Sequence, residues 1–131
     1  MIIDANIFLE LLLKQEKSDK CKIFLNKTVN GEINAALSDF SIDSIIISLA
    51  RNKIDIDIIK QFLQKLVRSK GIRVYSVNLK DRLNALVFME KYNLDYEDAL
   101  ILQSAVSTGS EEIVSFDKHF DKINEVKRIE P

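Results

Sequence analysis

The sequence predicts an α/β protein, a three-layer α/β/α sandwich around a central, mostly parallel sheet of four to five short strands. Two observations lead to this fold class. Short apolar stretches alternate with longer segments of helical periodicity, and buried strands that are joined by helices form parallel sheets covered on both faces. Only three glycines and one proline occur in 131 residues, which favours regular elements with short connections.

The composition predicts a single domain that spans residues 1–131. Hydrophobic residues make up 47% of the chain and charged residues 30%, a balance typical of a folded domain with one core. The single cysteine, Cys21, cannot form an internal disulfide, as is usual in a reducing compartment. Asp4 and Glu10 interrupt the first apolar stretch, and "IIISLA" at 45–50 is too short to span a membrane. We therefore expect a cytoplasmic protein without a membrane segment.

The first half of the chain supplies two predicted strands and three predicted helices. "MII" is a very short strand and "NAALS" is the second strand. Gly31 ends the second helix, and Asp39 is the natural N-cap of the third. The helical spacing of apolar residues gives these three helices the ranges 5–15, 18–30 and 39–53.

The second half continues the alternation. A helical pattern over 54–71 ends at Gly71, and "IRVYSV" then alternates like a strand. Two more helices follow at 78–93 and 96–109, and "EEIVSF" and "VKRIEP" are the last two strands. Asn78 is the predicted N-cap of the first of these helices. The residues of that helix expected to face the core are Leu79, Leu83, Leu86, Val87 and Met89.

Four acidic residues follow strands or begin helices in this predicted fold. Asp4 ends the first strand, and Asp117 directly follows the strand "IVSF". Asp43 lies one turn into the helix after the second strand, and Asp98 lies in the first turn of another helix. Functional crevices of such sheets lie beyond the carboxyl ends of the strands. We therefore expect the four side chains to meet at that edge.

Carboxylates that meet in this way require a positive partner, because two unit charges about 4 Å apart repel by roughly 4 kcal/mol at an effective dielectric constant of about 20. No cluster of histidines or cysteines accompanies them, so their hard oxygen ligands favour Mg²⁺ or Mn²⁺ over zinc. Such an ion activates water and stabilises the oxygens around a phosphodiester. The predicted chemistry is hydrolysis of a nucleic-acid backbone.

Each acid also has a purely structural explanation. Asp4 could have no role beyond capping the first helix. Asp98 could be no more than the third helical residue of a capping box headed by Asp95. Asp43 could be an exposed helix residue, and Asp117 could be a turn former. The residues alone leave these alternatives open.

The charges are segregated along the chain. Residues 51–82 contain nine Lys or Arg and three Asp, a balance of +6. Since the formal net charge of the whole chain is −1, the remaining residues together carry −7. This division suits a protein that binds cations in one place and a polyanion in another, although solvated helix faces also carry Lys and Arg. The candidate RNA-binding residues in this segment are Arg51, Lys53, Arg68 and Arg73.

The spacing of these motifs resembles that of the PIN domain family across essentially the whole chain. The family pattern has an apolar first strand that ends in Asp with Asn or Ser two positions later, a central acid after a Ser or Thr, an Asp-Ala pair that opens a helix, and a T/S-x-D motif before the last strand. The matching segments here are "IIDAN" (Asp4, Asn6), "LSDFSID" (Ser38 to Asp43), "YEDALILQSA" (Asp98) and "IVSFDKHF" (Ser115, Asp117).

The resemblance implies a ribonuclease that depends on Mg²⁺ or Mn²⁺, is usually a homodimer, and acts on RNA. Many short members are toxins of VapBC-type toxin–antitoxin pairs, whereas others process ribosomal RNA. Asp4 and Asp98 would be the principal metal ligands, Asp117 a third, and Asp43 would complete the acidic pocket. Two polar residues would orient the ligands or water, namely Asn6 and Ser115.

The sequence departs from the family pattern at two positions. The central acid is commonly Glu, whereas Asp43 is one methylene shorter, so Asp39 could compete with it. The residue two after Asp117 is often acidic but is His119 here, followed by Asp121. A lone histidine in such a turn is more often a surface residue than a ligand.

Other functions remain compatible with these motifs. The chain could be a noncatalytic PIN-like module that binds RNA or protein, or an RNA-processing nuclease without an antitoxin. A receiver-like signalling domain also gathers acids at strand ends, but it requires a phosphoacceptor Asp at the end of the third strand. That strand ends "VYSVN", which argues against a receiver domain.

Overall fold

The computed structural model describes residues 1–131, which form five strands, six α-helices and one 3₁₀ helix. The strands are β1 (Ile2–Ile3), β2 (Ala35–Ser38), β3 (Ile72–Tyr75), β4 (Glu112–Val114) and β5 (Lys127–Ile129). The α-helices are α1 (Ala5–Leu12), α2 (Ser18–Asn30), α3 (Asp39–Arg51), α4 (Ile56–Arg68), α5 (Leu79–Tyr92) and α6 (Tyr96–Thr108). The 3₁₀ helix (Lys118–Lys122) follows β4. The predicted order of strands and helices is confirmed.

The five strands form one sheet in the order β3-β2-β1-β4-β5, and every pairing is parallel. The central strand is β1, where Ile2 is in register with Ala36 on one side and with Ile113 on the other. The chain moves outward from β1 through β2 to β3 and then returns to β4 on the opposite side of β1. The junction between β1 and β4 is therefore the switch point at which α/β sheets form ligand crevices.

Both faces of the sheet are buried against helices, as a three-layer sandwich requires. Ile3 and Val114 face a core formed with α1 to α4, whereas their neighbours Ile2 and Ile113 face a core formed with α5 and α6. This alternation follows from the two-residue period of a strand. The predicted α/β/α architecture is confirmed.

Four of the five apolar residues of α5 that were predicted to face the core are exposed, and only Met89 packs against it. The exposed fractions of Leu79, Leu83, Leu86 and Val87 are 83%, 64%, 50% and 58%. Ala85 is the only fully buried apolar residue of α5. The reason is that α6 lies between α5 and the sheet, with a continuous buried run from Asp98 to Ala105. An apolar stripe of the correct period therefore faces solvent.

The ends of the helices agree with the sequence in most places. Gly31 and Gly109 take the left-handed conformation after α2 and α6, and Asn78 heads a complete capping box on α5. The N-cap of α3 is Ser38 and not Asp39 as predicted, because the Ser38 hydroxyl accepts the Ser41 amide. No helix has the length and apolar character needed to cross a membrane.

Candidate metal centre

Three of the predicted acids converge at the switch point of the sheet. Asp4 directly follows β1, and its amide continues the ladder by donating to the Val114 carbonyl at 3.0 Å. Asp117 lies just beyond the neighbouring strand β4, and Asp98 occupies the first turn of α6. Since β1 and β4 are adjacent and parallel, their carboxyl ends place the first two acids side by side.

Asp4 is buried and fully engaged in hydrogen bonds. Its Oδ1 accepts the Asn6 amide at 3.2 Å, which caps α1. Its Oδ2 accepts the Asn6 Nδ2 at 2.6 Å and the Ser115 hydroxyl at 2.5 Å. Asp4 therefore does cap α1, the alternative role considered from the sequence. The cap uses only Oδ1, and Oδ2 lies within the candidate site.

Ser115 joins the two strands at this edge. Its side chain is fully buried, and its hydroxyl donates to Asp4 while accepting the Asn6 Nδ2 at 3.0 Å and the Asp117 amide at 2.9 Å. All the capacity of one hydroxyl is used, because it has one donor and two acceptor sites. Ser115 thereby determines how the loop after β4 lies against Asp4.

Asp98 is directed toward the acidic edge and away from its own helix cap. Asp95 is the N-cap of α6 and accepts the Asp98 amide at 2.8 Å. The reciprocal bond from the Asp98 carboxylate to the Asp95 amide, which a capping box requires, is absent from the structure. The Asp98 side chain instead lies 3.4 Å from Nδ1 of His119. The capping-box explanation therefore does not account for the position of this carboxylate.

His119 lies between two of the acids. Its Nδ1 is 3.1 Å from Oδ1 of Asp117 and 3.4 Å from Oδ2 of Asp98. Ligand atoms of these three residues all lie within 4.8 Å of one another. Sequence reasoning favoured a surface role for His119, and its side chain is indeed 67% exposed. The available signal was its spacing of two from Asp117, because a capping Asp carboxylate accepts the amide two residues later, here that of His119 at 2.8 Å.

Burial makes the charged forms of two acids unfavourable. Burial raises the pKa of Asp4 to about 7, although the bonds from Ser115 and Asn6 oppose the shift and the nearby Asp98 adds to it. The pKa of Asp98 rises to about 6, first through burial and then through repulsion by Asp95 and Asp117, while His119 opposes it. Two acids with raised pKa values in one crevice indicate a site that a cation would stabilise.

The other acids named from the sequence make different contacts. Asp43 is exposed on α3, and no hydrogen bond or ion pair connects it to the other acids. Asp39 accepts the amides of Phe40 and Val77 through Oδ1 and so connects the start of α3 to the end of β3. Asp121 pairs with Arg128.

The candidate RNA-binding residues also lie away from the acids. Arg51 ends α3 and Arg68 ends α4, with exposed Lys53 just beyond α3. Arg73 lies on β3 in register with Ala36. It lines a polar cavity of about 760 Å³ beside the last turn of α6. The structure does not bring these four residues into one cluster with the acids.

The side chains at the acidic edge fit a small divalent cation. The donors include the carboxylates of Asp98 and Asp117, and His119 adds a nitrogen. Next to them, Oδ1 of Asn6 is buried without a hydrogen-bond partner. Buried oxygens normally have partners, so an unpaired acceptor and desolvated carboxylates in the same crevice suit a bound ion with its water ligands.

The sequence model of the PIN domain family matches residues 1–126 of this chain. The chain belongs to the PIN domain family. A comparison with curated protein sequences gives no significant match.

Solved structures share the fold of this PIN domain over nearly its whole length. A toxin–antitoxin complex from Klebsiella pneumoniae has a TM-score of 0.71 at 17% identity, covering 95% of this chain and 93% of that one. The sarcin–ricin loop cleaving toxin VapC20 from Mycobacterium tuberculosis has a TM-score of 0.75 at 15% identity, covering 96% and 98%. VapBC2 from Rickettsia felis, bound to a DNA fragment of its promoter, has a TM-score of 0.66 at 16% identity, covering 98% and 96%. At these identities the likeness establishes the shared fold.

Proposed function

We propose that this PIN domain is a metal-dependent endoribonuclease and the toxin of a VapBC-type toxin–antitoxin pair. Members of the family are nucleases. The observation that carries the proposal is the convergence of Asp4, Asp98 and Asp117 at the switch point, with two of the three carboxyl groups desolvated. The named functions of the structural neighbours, two toxin–antitoxin complexes and an RNA-cleaving toxin, support the same assignment.

Asp4, Asp98 and Asp117 would bind Mg²⁺ or Mn²⁺, which supplies an activated water and stabilises phosphodiester oxygens. Asn6 and Ser115 orient the Asp4 carboxylate through its Oδ2. Burial of this carboxylate excludes competing water and strengthens its interaction with any cation at the edge. Asp43 would complete the acidic pocket from its exposed position on α3.

RNA is the proposed substrate, and the basic segment would contact its backbone. Arg51, Lys53, Arg68 and Arg73 carry the charge that phosphates require, and the short strands keep Arg73 only a few residues from the carboxyl edge. A strand advances about 3.3 Å per residue, so RNA a few nucleotides long could reach from one region to the other.

Purified protein and RNA provide the direct test. With Mg²⁺ or Mn²⁺ present, we expect Asp4→Asn and Asp98→Asn to lower the cleavage rate by at least about 100-fold, since each removes a carboxylate from the metal centre. The matched control is Asp19→Asn on the exposed start of α2, which should cleave like the unmodified protein. Equal cleavage by all three variants would identify a contaminating nuclease.

A noncatalytic module is the second candidate, and Asp43 favours it because its side chain is exposed and makes no hydrogen bond or ion pair that would hold it in a metal site. Such a module would bind RNA or protein without metal-dependent turnover. Calorimetric titration with Mn²⁺ separates the candidates, since an inert scaffold has no binding site that Asp4→Asn weakens.

An antitoxin is the proposed protein partner. An apolar cavity of about 110 Å³ opens between α1, α2 and α4. Its lining suits the apolar face of a helix that a partner inserts, and includes Phe8, Leu11, Leu25, Ile58 and Phe62. If the neighbouring reading frame encodes no small protein that binds the domain, an RNA-processing nuclease without an antitoxin becomes the better assignment.

A second copy of the chain is the proposed partner for α5. The exposed stripe of Leu79, Leu83 and Leu86 has the spacing of one helix face, with Val87 beside it. Contiguous apolar patches of this kind mark interaction sites more often than free surface. A homodimer through this face would leave the acidic edge open.

A further inference from the structure

We propose that His119 is a nitrogen ligand of the metal centre and that it shifts the metal preference of this domain from Mg²⁺ toward Mn²⁺. This inference rests on the proposed function, because it concerns the same acidic site. It assigns a role to the only histidine of the chain.

The position of the imidazole relative to both carboxylates supports this role. Nδ1 of His119 lies 3.1 Å from an Asp117 oxygen and 3.4 Å from an Asp98 oxygen. An octahedral ion with bonds of about 2.1 Å keeps neighbouring ligand atoms about 3 Å apart. Both distances from Nδ1 are close to this spacing, and the ligand atoms of all three residues lie within 4.8 Å of one another.

The backbone of His119 is held on both sides. The Asp117 carboxylate accepts the His119 amide at 2.8 Å and caps the 3₁₀ helix. Phe120, the next residue, is fully buried in the core beneath α6. His119 is therefore fixed between a cap and a core residue, while its exposed side leaves room for water ligands and a substrate.

The chemistry of the donor set predicts the metal preference. Mg²⁺ strongly prefers oxygen ligands and retains several waters. Imidazole binds the divalent transition metals more readily, and Mn²⁺ accepts both oxygen and nitrogen ligands. A site that adds one imidazole to its carboxylates should therefore favour Mn²⁺, whereas the same site with a carboxylate in place of the imidazole should lose that preference.

Metal binding without RNA provides the test. Untagged protein, in which His119 is the only imidazole, is loaded with Mn²⁺ and studied by pulsed electron paramagnetic resonance. We expect modulation from a coordinated imidazole nitrogen in the unmodified protein. Its absence would overturn the inference, and this measurement needs no variant that must fold.

Calorimetric titrations with Mn²⁺ and Mg²⁺ quantify the effect. His119→Gln should weaken Mn²⁺ binding on the order of tenfold and change Mg²⁺ binding by no more than about twofold. His119→Asp should retain binding of both ions and lower the ratio of Mn²⁺ to Mg²⁺ affinity. Lys122→Gln, an exposed change in the same 3₁₀ helix, is the matched control and should bind both ions like the unmodified protein.

Asp98→Asn distinguishes this inference from the proposed function. If Asp98→Asn weakens Mn²⁺ binding but His119→Gln binds Mn²⁺ as tightly as the unmodified protein, the metal centre stands and the role of His119 is overturned. If neither variant changes Mn²⁺ binding, both the metal centre and the role of His119 are overturned. Weaker Mn²⁺ binding in both variants supports the metal centre and the role of His119 as a ligand.

Discussion

The surroundings of Asp4 have opposing effects on the ionisation of its carboxyl group. Its carboxyl group is 5% exposed, yet it accepts three hydrogen bonds that favour the ionised form. Burial outweighs these bonds and raises its pKa to about 7. At neutral pH the metal-free protein therefore contains a partly protonated acid that a divalent cation would fully ionise, which couples metal binding to stability.

We expect the metal-free protein to lose stability as pH rises from about 4 to about 7. A group whose pKa is near 4 when unfolded and about 7 when folded takes up a proton on folding across this range. The free energy of unfolding therefore falls by about 1 kcal/mol per pH unit. Asp98, with a pKa raised to about 6, acts in the same direction.

Asp4→Asn should remove the part of this pH dependence that Asp4 causes. The free energy of unfolding of both proteins is measured by urea denaturation with a chelator present. As the pH rises from 4 to 8, the difference between the variant and the unmodified protein should shift in favour of the variant by at least about 2 kcal/mol. Asp19→Asn should follow the unmodified protein. Parallel curves for Asp4→Asn and the unmodified protein would show that Asp4 titrates normally.

Ser115 is the second residue on which this edge depends. We expect Ser115→Ala to destabilise the fold by about 1–3 kcal/mol, because it leaves Asp4 short of a donor and both Asn6 and the Asp117 amide without an acceptor. It should also raise the pKa of Asp4 further, since the Ser115 bond lowers it. The loss of stability with rising pH should then extend to higher pH.

Ser110→Ala is the matched control for that change. Ser110 makes a side-chain hydrogen bond only to Thr108 near the end of α6, so its removal should cost little. If Ser115→Ala were as stable as Ser110→Ala, the hydroxyl network would not determine the geometry of the site.

At the scale of elements, the main lesson concerns α5 and α6. Both helices carry apolar residues at helical spacing, but α6 is buried along most of its length, whereas α5 packs on α6 and exposes its leucines. Periodicity identifies an apolar face without saying what covers it. The exposed face is the surface that we assign to the homodimer.

Leu83→Glu combined with Leu86→Glu should produce a monomer. Two charges in an apolar interface would have to be desolvated on association, whereas they remain in water in the free subunit, so the fold should be retained. Sedimentation velocity measures the oligomeric state and circular dichroism the fold. Val67→Glu, on the exposed side of α4, should leave the dimer intact, and a dimeric double variant would exclude α5 as the interface.

At the scale of the whole molecule, the acidic residues proposed to bind metal and the basic residues proposed to bind RNA lie in different parts of the fold. The acids gather at the carboxyl ends of the strands β1 and β4, while Arg68 ends α4 and Arg73 lies on the edge strand β3. If the proposed function is correct, this arrangement keeps the basic residues from pairing with the acids that would bind the metal. RNA would have to contact both regions for the basic segment to contribute.

Arg68→Gln combined with Arg73→Gln should weaken RNA binding and its salt dependence together. Each lost phosphate contact should reduce the slope of log affinity against log salt by about 0.7 for single-stranded RNA. Binding is measured on an Asp98→Asn background to prevent cleavage. Lys22→Gln with Lys27→Gln, exposed on α2, is the control, and equal slopes for the two pairs would remove the arginines from the interface.

The sequence by itself determined the order of the elements, the parallel sheet, and the convergence of Asp4, Asp98 and Asp117, because these follow from local periodicity and from the shared polarity of parallel strands. Only the tertiary structure decided that α5 faces outward and that His119 lies between two acids. Those outcomes depend on how helices rotate and stack against one another. Contacts between residues distant in the chain set that rotation, and no local pattern records it.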